Sequence, residues 1–401
     1  MKNVLYCGLM LLITLAGCAQ PVPKSLSGHP AVEELKTGAE CMDDYLRALE
    51  GRKVAVCGNH TSLVGATHLV DTLLSRGVTV VKIFSPEHGF RGNAEAGAAV
   101  SSSTDAKTGL PIISLYGKNK KPTAEQMSGV DVVLFDLQDV GCRFYTYIST
   151  LHYVMEAAAE NDVEVIVLDR PNPNGFYVDG PVMKPQFTSF VGMHPVPVVY
   201  GMTIGEYAQM INGEGWLNDG VKCKLLVVRL KNYTHSTRYV LPVPPSPNLQ
   251  TPEAVFLYPS LCFFEGTDIS VGRGTEMPFE MYGAPGMTDG DYFFTPHPIK
   301  GVSENPPHNK AKCRGTLLHK YAAENIYNPG KLDLTFLIKA YKTYPHKEKF
   351  FNRASFFDKL AGNDELRKQI VNGVSEEEIR KSWEVDIQKF MKVRERYLLY
   401  K

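Results

Sequence analysis

The run Val130-Asp131-Val132-Val133-Leu134-Phe135, followed at once by Asp136-Leu137-Gln138-Asp139-Val140-Gly141, decides how the rest of the chain is read. Its first half is apolar and β-branched with little polar alternation, the pattern of a strand covered on both faces. Its second half turns polar where such a strand should end. Strands of this kind belong to parallel sheets, which need crossover helices. Working outward, the same alternation recurs. Upstream, Lys53 to Cys57 reads as a strand, His68 to Arg76 as a helix ended by Gly77, Val78 to Phe84 as a strand, Pro111 to Leu115 as a short strand and Ala124 to Met127 as a short helix. Downstream, Tyr147 to Glu160 reads as a helix and Val163 to Leu168 as the next strand. The fold class is α/β, a doubly wound, mainly parallel sheet with right-handed crossovers.

Open parallel sheets bind ligands beyond the carboxyl ends of their strands. Each strand here runs into a polar segment: Asn59-His60; Ser85-Pro86-Glu87-His88-Gly89-Phe90-Arg91-Gly92; Asp136 to Asp139, with Arg143 and Tyr145 beyond; and Asp169-Arg170-Pro171-Asn172. Carboxylates, guanidiniums and imidazoles are thus expected on one sheet edge. A lone Asp after a strand is commonly a helix cap, which keeps Asp136, Asp139 and Asp169 open to a purely structural role. Glu87 stands apart, because it lies between Pro86 and His88-Gly89 in a loop where burial or Arg91 can tune a carboxyl group. The chain has no G-x-S-x-G elbow, H-E-x-x-H, phosphate-binding loop or dinucleotide-binding glycine pattern, so serine-esterase, zincin, nucleotide-hydrolase and nicotinamide readings lose support. What remains is a carboxylate-rich cleft suited to acid/base work on a glycosidic bond, with no metal and no cofactor.

The alternation stops after about residue 230, and a second, α+β domain is expected to begin between 225 and 245; we place the boundaries at 31–235 and 236–401. Here Pro244-Pro245-Ser246-Pro247-Asn248 and Phe264-Glu265-Gly266 to Gly272-Arg273-Gly274-Thr275 read as rigid, backbone-exposing loops. Gly272 and Gly274 would let the chain approach a ligand while Arg273 binds an anion. Ser375 and Glu378 form a capping box, and Ile379, Trp383, Ile387, Phe390 and Met391 continue an apolar stripe that belongs to the core.

Lys+Arg and Asp+Glu are equal at 43 each, so no global field attracts nucleic acid or an anionic membrane surface, and recognition of charge must be local. At the N-terminus, Lys2, the apolar run Val4 to Ala16 and Leu15-Ala16-Gly17-Cys18 are too short for a spanning helix and read as an export signal over residues 1–18. The ending resembles the bacterial lipobox, which implies lipidation at Cys18. Residues 19–30 are then expected to form a tether, and Ala19-Gln20 in place of Asp after the Cys implies, by the same resemblance, the cell envelope at the outer membrane facing the periplasm. The membrane is reached through the anchor alone. Six further cysteines, Cys41, Cys57, Cys142, Cys223, Cys262 and Cys313, are scattered and several sit inside apolar runs, which favours buried thiols over disulfides.

Taken as ordered blocks, the motifs resemble those of a known family. They are Phe84-Ser-Pro-Glu-His-Gly-Phe-Arg-Gly92, Thr108-Gly-Leu-Pro-Ile112, Phe135-Asp-Leu-Gln-Asp-Val-Gly141, Arg143-Phe-Tyr-Thr-Tyr147, Leu168-Asp-Arg-Pro-Asn-Pro173, Asp179-Gly-Pro181, Tyr200-Gly-Met-Thr-Ile-Gly-Glu206, Pro245-Ser-Pro-Asn248 and Gly272-Arg-Gly-Thr275. The chain resembles the exo-β-N-acetylmuramidases typified by NamZ, earlier catalogued as a domain of unknown function, DUF1343. The resemblance implies a Rossmann-like catalytic domain, a smaller C-terminal domain and a cleft between them. It implies release of N-acetylmuramic acid (MurNAc) from non-reducing ends of peptidoglycan-derived sugars such as MurNAc-GlcNAc, in cell-wall turnover and recycling, with Glu87 as the leading catalytic residue. Val271 stands where the family pattern leads us to expect Glu, and Gly286 where it leads us to expect an aromatic.

The enzyme reading assigns Glu87 as general acid/base and Asp136, Asp139 or Asp169 as orienting or second carboxylates. Of these, Asp139 and Asp169 stand beside Glu87 as catalytic candidates. Substrate-binding candidates are His60, His88, Arg91, Asp136, Arg143, Tyr145, Arg170, Asn172, Asn248, Glu265, Arg273 and Thr275, with Arg143 and Arg273 as the anion binders. The alternative is a non-catalytic muropeptide-binding lipoprotein that uses the same cleft.

Overall fold

The structure, a computed structural model, describes residues 34–87, 89–91, 103–326 and 330–401. In chain order its N-terminal strands are β1 (Lys53–Gly58), a small hairpin of β2 (Leu63–Val64) and β3 (Thr67–His68), β4 (Thr79–Ser85), β5 (Ser103–Thr104), β6 (Pro111–Ser114), β7 (Val132–Asp136), β8 (Glu164–Leu168) and β9 (Lys224–Val228). Seven of them make one sheet in the order β5-β6-β4-β1-β7-β8-β9. All neighbours are parallel except β5 on β6. Without the antiparallel edge strand, the parallel strands run third, second, first, fourth, fifth, sixth. That is the dinucleotide-fold order, whose direction reverses between β1 and β7.

The expected strands and helices stand where the apolar runs placed them, within a residue or two. Helix α1 is Leu69–Ser75, α2 is Ala124–Met127 and α3 is Tyr147–Glu160. Of the longer N-terminal elements, α4 (Ile204–Gly213) and β9 were not read from the sequence, nor were the two-residue strands β2, β3 and β5. Alternation within each buried strand divides the core. Ala55, Cys57, Val133, Phe135, Val165 and Val167 face one cluster, while Val54, Val56, Val132, Leu134, Ile166 and Leu168 face the other with α1. The apolar runs are continuous because both faces are covered.

The first of these clusters continues into the C-terminal half through Phe263, Phe264, Trp383 and Phe390. That half holds α5 (Pro252–Leu261) and a three-stranded antiparallel sheet of β10 (Met281–Ala284), β11 (Tyr292–Phe294) and β12 (Cys313–Leu317), in the order β10-β12-β11. Short helices and the long Glu376–Arg394 helix complete it. Ser375 caps that helix through Glu378 as expected; Met391, read as core, is instead exposed. The six cysteines are all free and buried.

Candidate active site

Between the sheet's carboxyl edge and the C-terminal loops lies a cleft of about 810 Å³. The N-terminal half contributes Glu87 after β4, Tyr116 after β6 and residues 144–147 after β7; the C-terminal half contributes Asn248, Glu265, Asp268, Arg273 and Arg353. Glu87 is half-buried. Its carboxylate accepts from the Thr146 hydroxyl at 3.1 Å, and the Tyr116 phenol bonds it too. Thr146 is the cap residue of the 14-residue helix α3, so Glu87 sits at a helix end whose dipole favours negative charge. Burial, then the Glu87 charge, pushes Tyr116 well above the usual phenol range, which keeps it protonated and donating.

The other residues flagged from the sequence divide into two groups. Tyr145, Asn248, Glu265 and Arg273 do line the cleft. Tyr145 donates to the Pro245 carbonyl at 2.8 Å and so ties the Pro-rich loop to the sheet edge. Asn248 donates from Nδ2 to the Val302 carbonyl at 2.9 Å, while its Oδ1 has no partner among the described residues. Arg273 Nε bonds the Glu265 carboxylate, and its guanidinium lies 5.0 Å from the Phe279 ring centre.

The second group lies beneath or beside the cleft. Asp136 and Arg170 form a buried bidentate pair, at 2.5 and 2.9 Å, under the switch point. Asp139 accepts from the Tyr200 phenol and from Gly141 N–H at 2.7 Å, and burial pushes its carboxyl up to about 6. Asp169 accepts from Tyr400 Oη at 2.6 Å, Thr203 Oγ1 at 2.7 Å and Gly205 N–H at 2.8 Å, and burial pushes it up to about 7. These contacts make Asp169 an anchor for α4 and the C-terminal tail, away from the cleft, where it was expected to be catalytic. Asn172 caps its own turn and reaches the Met202 carbonyl at 2.7 Å. His60 Nε2 meets the Pro244 carbonyl at 2.9 Å, and Thr275 closes a turn onto Gly272 O at 2.6 Å.

Three expectations are corrected by geometry. Arg143, expected to bind an anion, is fully buried and donates to the carbonyls of Pro181 at 2.8 Å, Val196 at 2.6 Å and Leu360 at 2.8 Å. Burial without a carboxylate pushes it down to about 10. Arg91, expected beside Glu87, holds Asp105 through Nε at 3.1 Å and Nη2 at 2.8 Å. Gly272 and Gly274 have φ of +79° and +80°, and a Cβ on Gly274 would meet the His297 carbonyl oxygen at 2.6 Å. These glycines answer backbone conformation and protein packing rather than approach to a ligand.

His88, Gly92 and Cys18 lie outside the described residues. Among the described residues no group of three or more His, Cys, Asp or Glu side chains is placed to hold a metal ion. Sequence reading missed Tyr116, Thr146, Asp268 and Arg353. Tyr116 and Thr146 carried a usable signal, since each comes shortly after a strand of the sheet, and Asp268 lies in the Phe264–Thr275 loop that the sequence marks; Arg353 carried none.

Comparison with known proteins agrees with this architecture. The family model described as exo-β-N-acetylmuramidase NamZ, N-terminal, matches residues 54–253, and its C-terminal counterpart matches residues 256–400. The peptidoglycan β-N-acetylmuramidase NamZ of Bacillus subtilis (strain 168) is 39% identical over 414 residues, covering 98% of each chain. A crystal structure of a DUF1343 family protein from Bacteroides fragilis NCTC 9343 superposes with a TM-score of 0.85 at 46% identity, covering 92% of this chain and 99% of that one. A second DUF1343 protein from the same organism gives 0.78 at 31% identity, with the same coverage. With the two family models together matching most of residues 54–400 and a relative 39% identical over 98% of both chains, the chain belongs to the NamZ family of exo-β-N-acetylmuramidases.

Proposed function

We propose that this chain is an exo-acting glycoside hydrolase that releases N-acetylmuramic acid from the non-reducing ends of peptidoglycan fragments. The observation that carries the reading is Glu87, the acid of the Pro-Glu-His-Gly block, lining the cleft between the two halves of a chain 39% identical to a peptidoglycan β-N-acetylmuramidase across 98% of its length. Glu87 serves as the general acid/base, and Thr146 and Tyr116 fix its carboxylate by hydrogen bonds. Of the cleft's other carboxylates, Glu265 is neutralised by Arg273, and Asp268 is engaged by Asn352 Nδ2 at 2.9 Å and by the Tyr344 phenol. The deeper acids Asp136, Asp139 and Asp169 support the sheet edge on which Glu87 stands.

The test is a time course on defined, peptide-free glycan chains with a muramic acid non-reducing end, followed by mass spectrometry. Free N-acetylmuramic acid should appear first. Early disaccharides or internal cuts would overturn the exo assignment. We further propose that Leu15-Ala16-Gly17-Cys18 is a lipidation signal that tethers the enzyme to the envelope, at the outer membrane. Cys18→Ser should move the protein from the membrane to the soluble fraction, and a Ser variant that still fractionates with lipid would refute the anchor.

A further inference from the structure

Two guanidiniums line the cleft, and they differ in what they hold. Arg273 is neutralised by Glu265 and covered by Phe279. Arg353, just before the Ala354–Ala361 helix, is exposed and makes no ion pair among the described residues. Its Nη1 donates to the Glu265 carbonyl at 3.2 Å, and its guanidinium lies 4.5 Å from the ring centre of Phe356, which also lines the cleft. An arginine braced by a ring on one face and by a main-chain carbonyl at one nitrogen has its plane fixed. Its remaining N–H donors are left for a ligand, and two of them in parallel match the two oxygens of a carboxylate. The acid in this neighbourhood, Asp268, is already engaged by Asn352 and Tyr344, so it does not compete for that fork.

The sugar expected in this cleft differs from N-acetylglucosamine by one anionic group, the carboxylate of its lactyl ether. We infer that Arg353 reads that carboxylate. The C-terminal half thereby selects the sugar on which Glu87, from the N-terminal half, acts. The inference rests on the muramidase reading above. It moves anion recognition from Arg143, which is buried, and Arg273, which is neutralised, to a residue that no sequence motif marks.

A second carboxylate source, the peptide stem, is separable because attaching a peptide converts the lactyl carboxyl to an amide. Three chromogenic substrates decide the matter: a β-muramide with the free acid, its lactyl methyl ester, and a peptide-bearing muramide. The parent enzyme should prefer acid over ester. Arg353→Ala should lose about tenfold in kcat/KM on the acid, a discounted value for a charge-assisted bond at an exposed site, with the ester unchanged and the preference gone. Arg353→Lys should recover part of it, and added salt should weaken the parent's preference. An unchanged acid-to-ester ratio in Arg353→Ala overturns the inference, as does an equal loss on both substrates, which marks a role in cleft shape. A loss confined to the peptide-bearing substrate assigns Arg353 to the stem and overturns the lactyl reading. A folded parent inactive on all three refutes the muramidase reading itself and takes the inference with it.

Discussion

Replacing Arg143 by Met tests whether a buried cation organises the cleft's support or binds its ligand. The side chain joins three separate segments by donating to the carbonyls of Pro181, Val196 and Leu360. Met keeps most of the stem's volume and removes every donor. A buried carbonyl left without its donor costs about 1–3 kcal/mol; Pro181 and Leu360 lose theirs, while the Val196 carbonyl keeps the Met183 N–H at 3.1 Å. Against that, burial pushes Arg143 down from the ordinary guanidinium range to about 10. At about 1.4 kcal/mol per pKa unit, removing this desolvated charge returns roughly 3 kcal/mol. With about 2 kcal/mol for each orphaned carbonyl and about 1 for the lost bond to Val196, the net expectation is a loss of about 1–3 kcal/mol in unfolding free energy. Urea denaturation followed by tryptophan fluorescence measures it, the reporters being Trp216 and Trp383. The folded fraction should keep the parent's selectivity between muramides and N-acetylglucosaminides. An unchanged denaturation midpoint, or a well-folded variant that has lost muramide selectivity, would refute the reasoning.

Asp169 gives a signed pH dependence. Its folded carboxyl titrates near 7 because of burial, against about 3.9 in an unfolded chain, so between those values the folded state holds a proton that the unfolded state releases. Its stabilising contribution is therefore complete below about pH 4 and is lost as the pH rises through about 7. Thermal melts of Asp169→Asn should show lower absolute stability, from the lost acceptor, but a flatter fall between pH 5 and pH 8 than the parent; an identical slope refutes the assignment. Thr146→Val removes the hydroxyl 3.1 Å from Glu87. A loss of about two- to tenfold in kcat with KM nearly unchanged is expected for one hydrogen bond, and steady-state kinetics showing no change would contradict a positioning role.

The sheet was legible because its signal is local. Val132 to Asp136 and Val165 to Leu168 are buried on both faces, and their apolar runs say so without knowledge of the partners. The edge strand β9, by contrast, is half-exposed along most of its length, and its weaker pattern hid it. Burial of thiols such as Cys57 and Cys262 was legible for the same local reason.

The site was legible only as a neighbourhood. Strand ends placed Glu87, Tyr145 and the acids on one edge, but not which of them face the cleft. Asp139 and Asp169 turn inward because Tyr200 and Tyr400 donate to them, from 61 and 231 residues away. Arg143 meets Leu360 across 217 residues, and no spacing rule signals such a contact. Arg353 sits in an unremarkable Asn352-Arg353-Ala354 stretch, and its role comes from Phe356 and the Glu265 carbonyl, which only the fold brings to it.

The most direct test of the account is the steady-state turnover of Glu87→Gln on a chromogenic β-N-acetylmuramide, with binding of free N-acetylmuramic acid measured on the same sample. The substitution keeps size and hydrogen bonding at Thr146 and Tyr116 while removing the transferable proton. In this variant kcat should fall by about 10²–10⁴-fold while the sugar is bound with little change. A fall of less than about tenfold, against that same expectation for general acid/base catalysis, in a folded, ligand-binding variant would remove Glu87 from the chemistry and contradict the account.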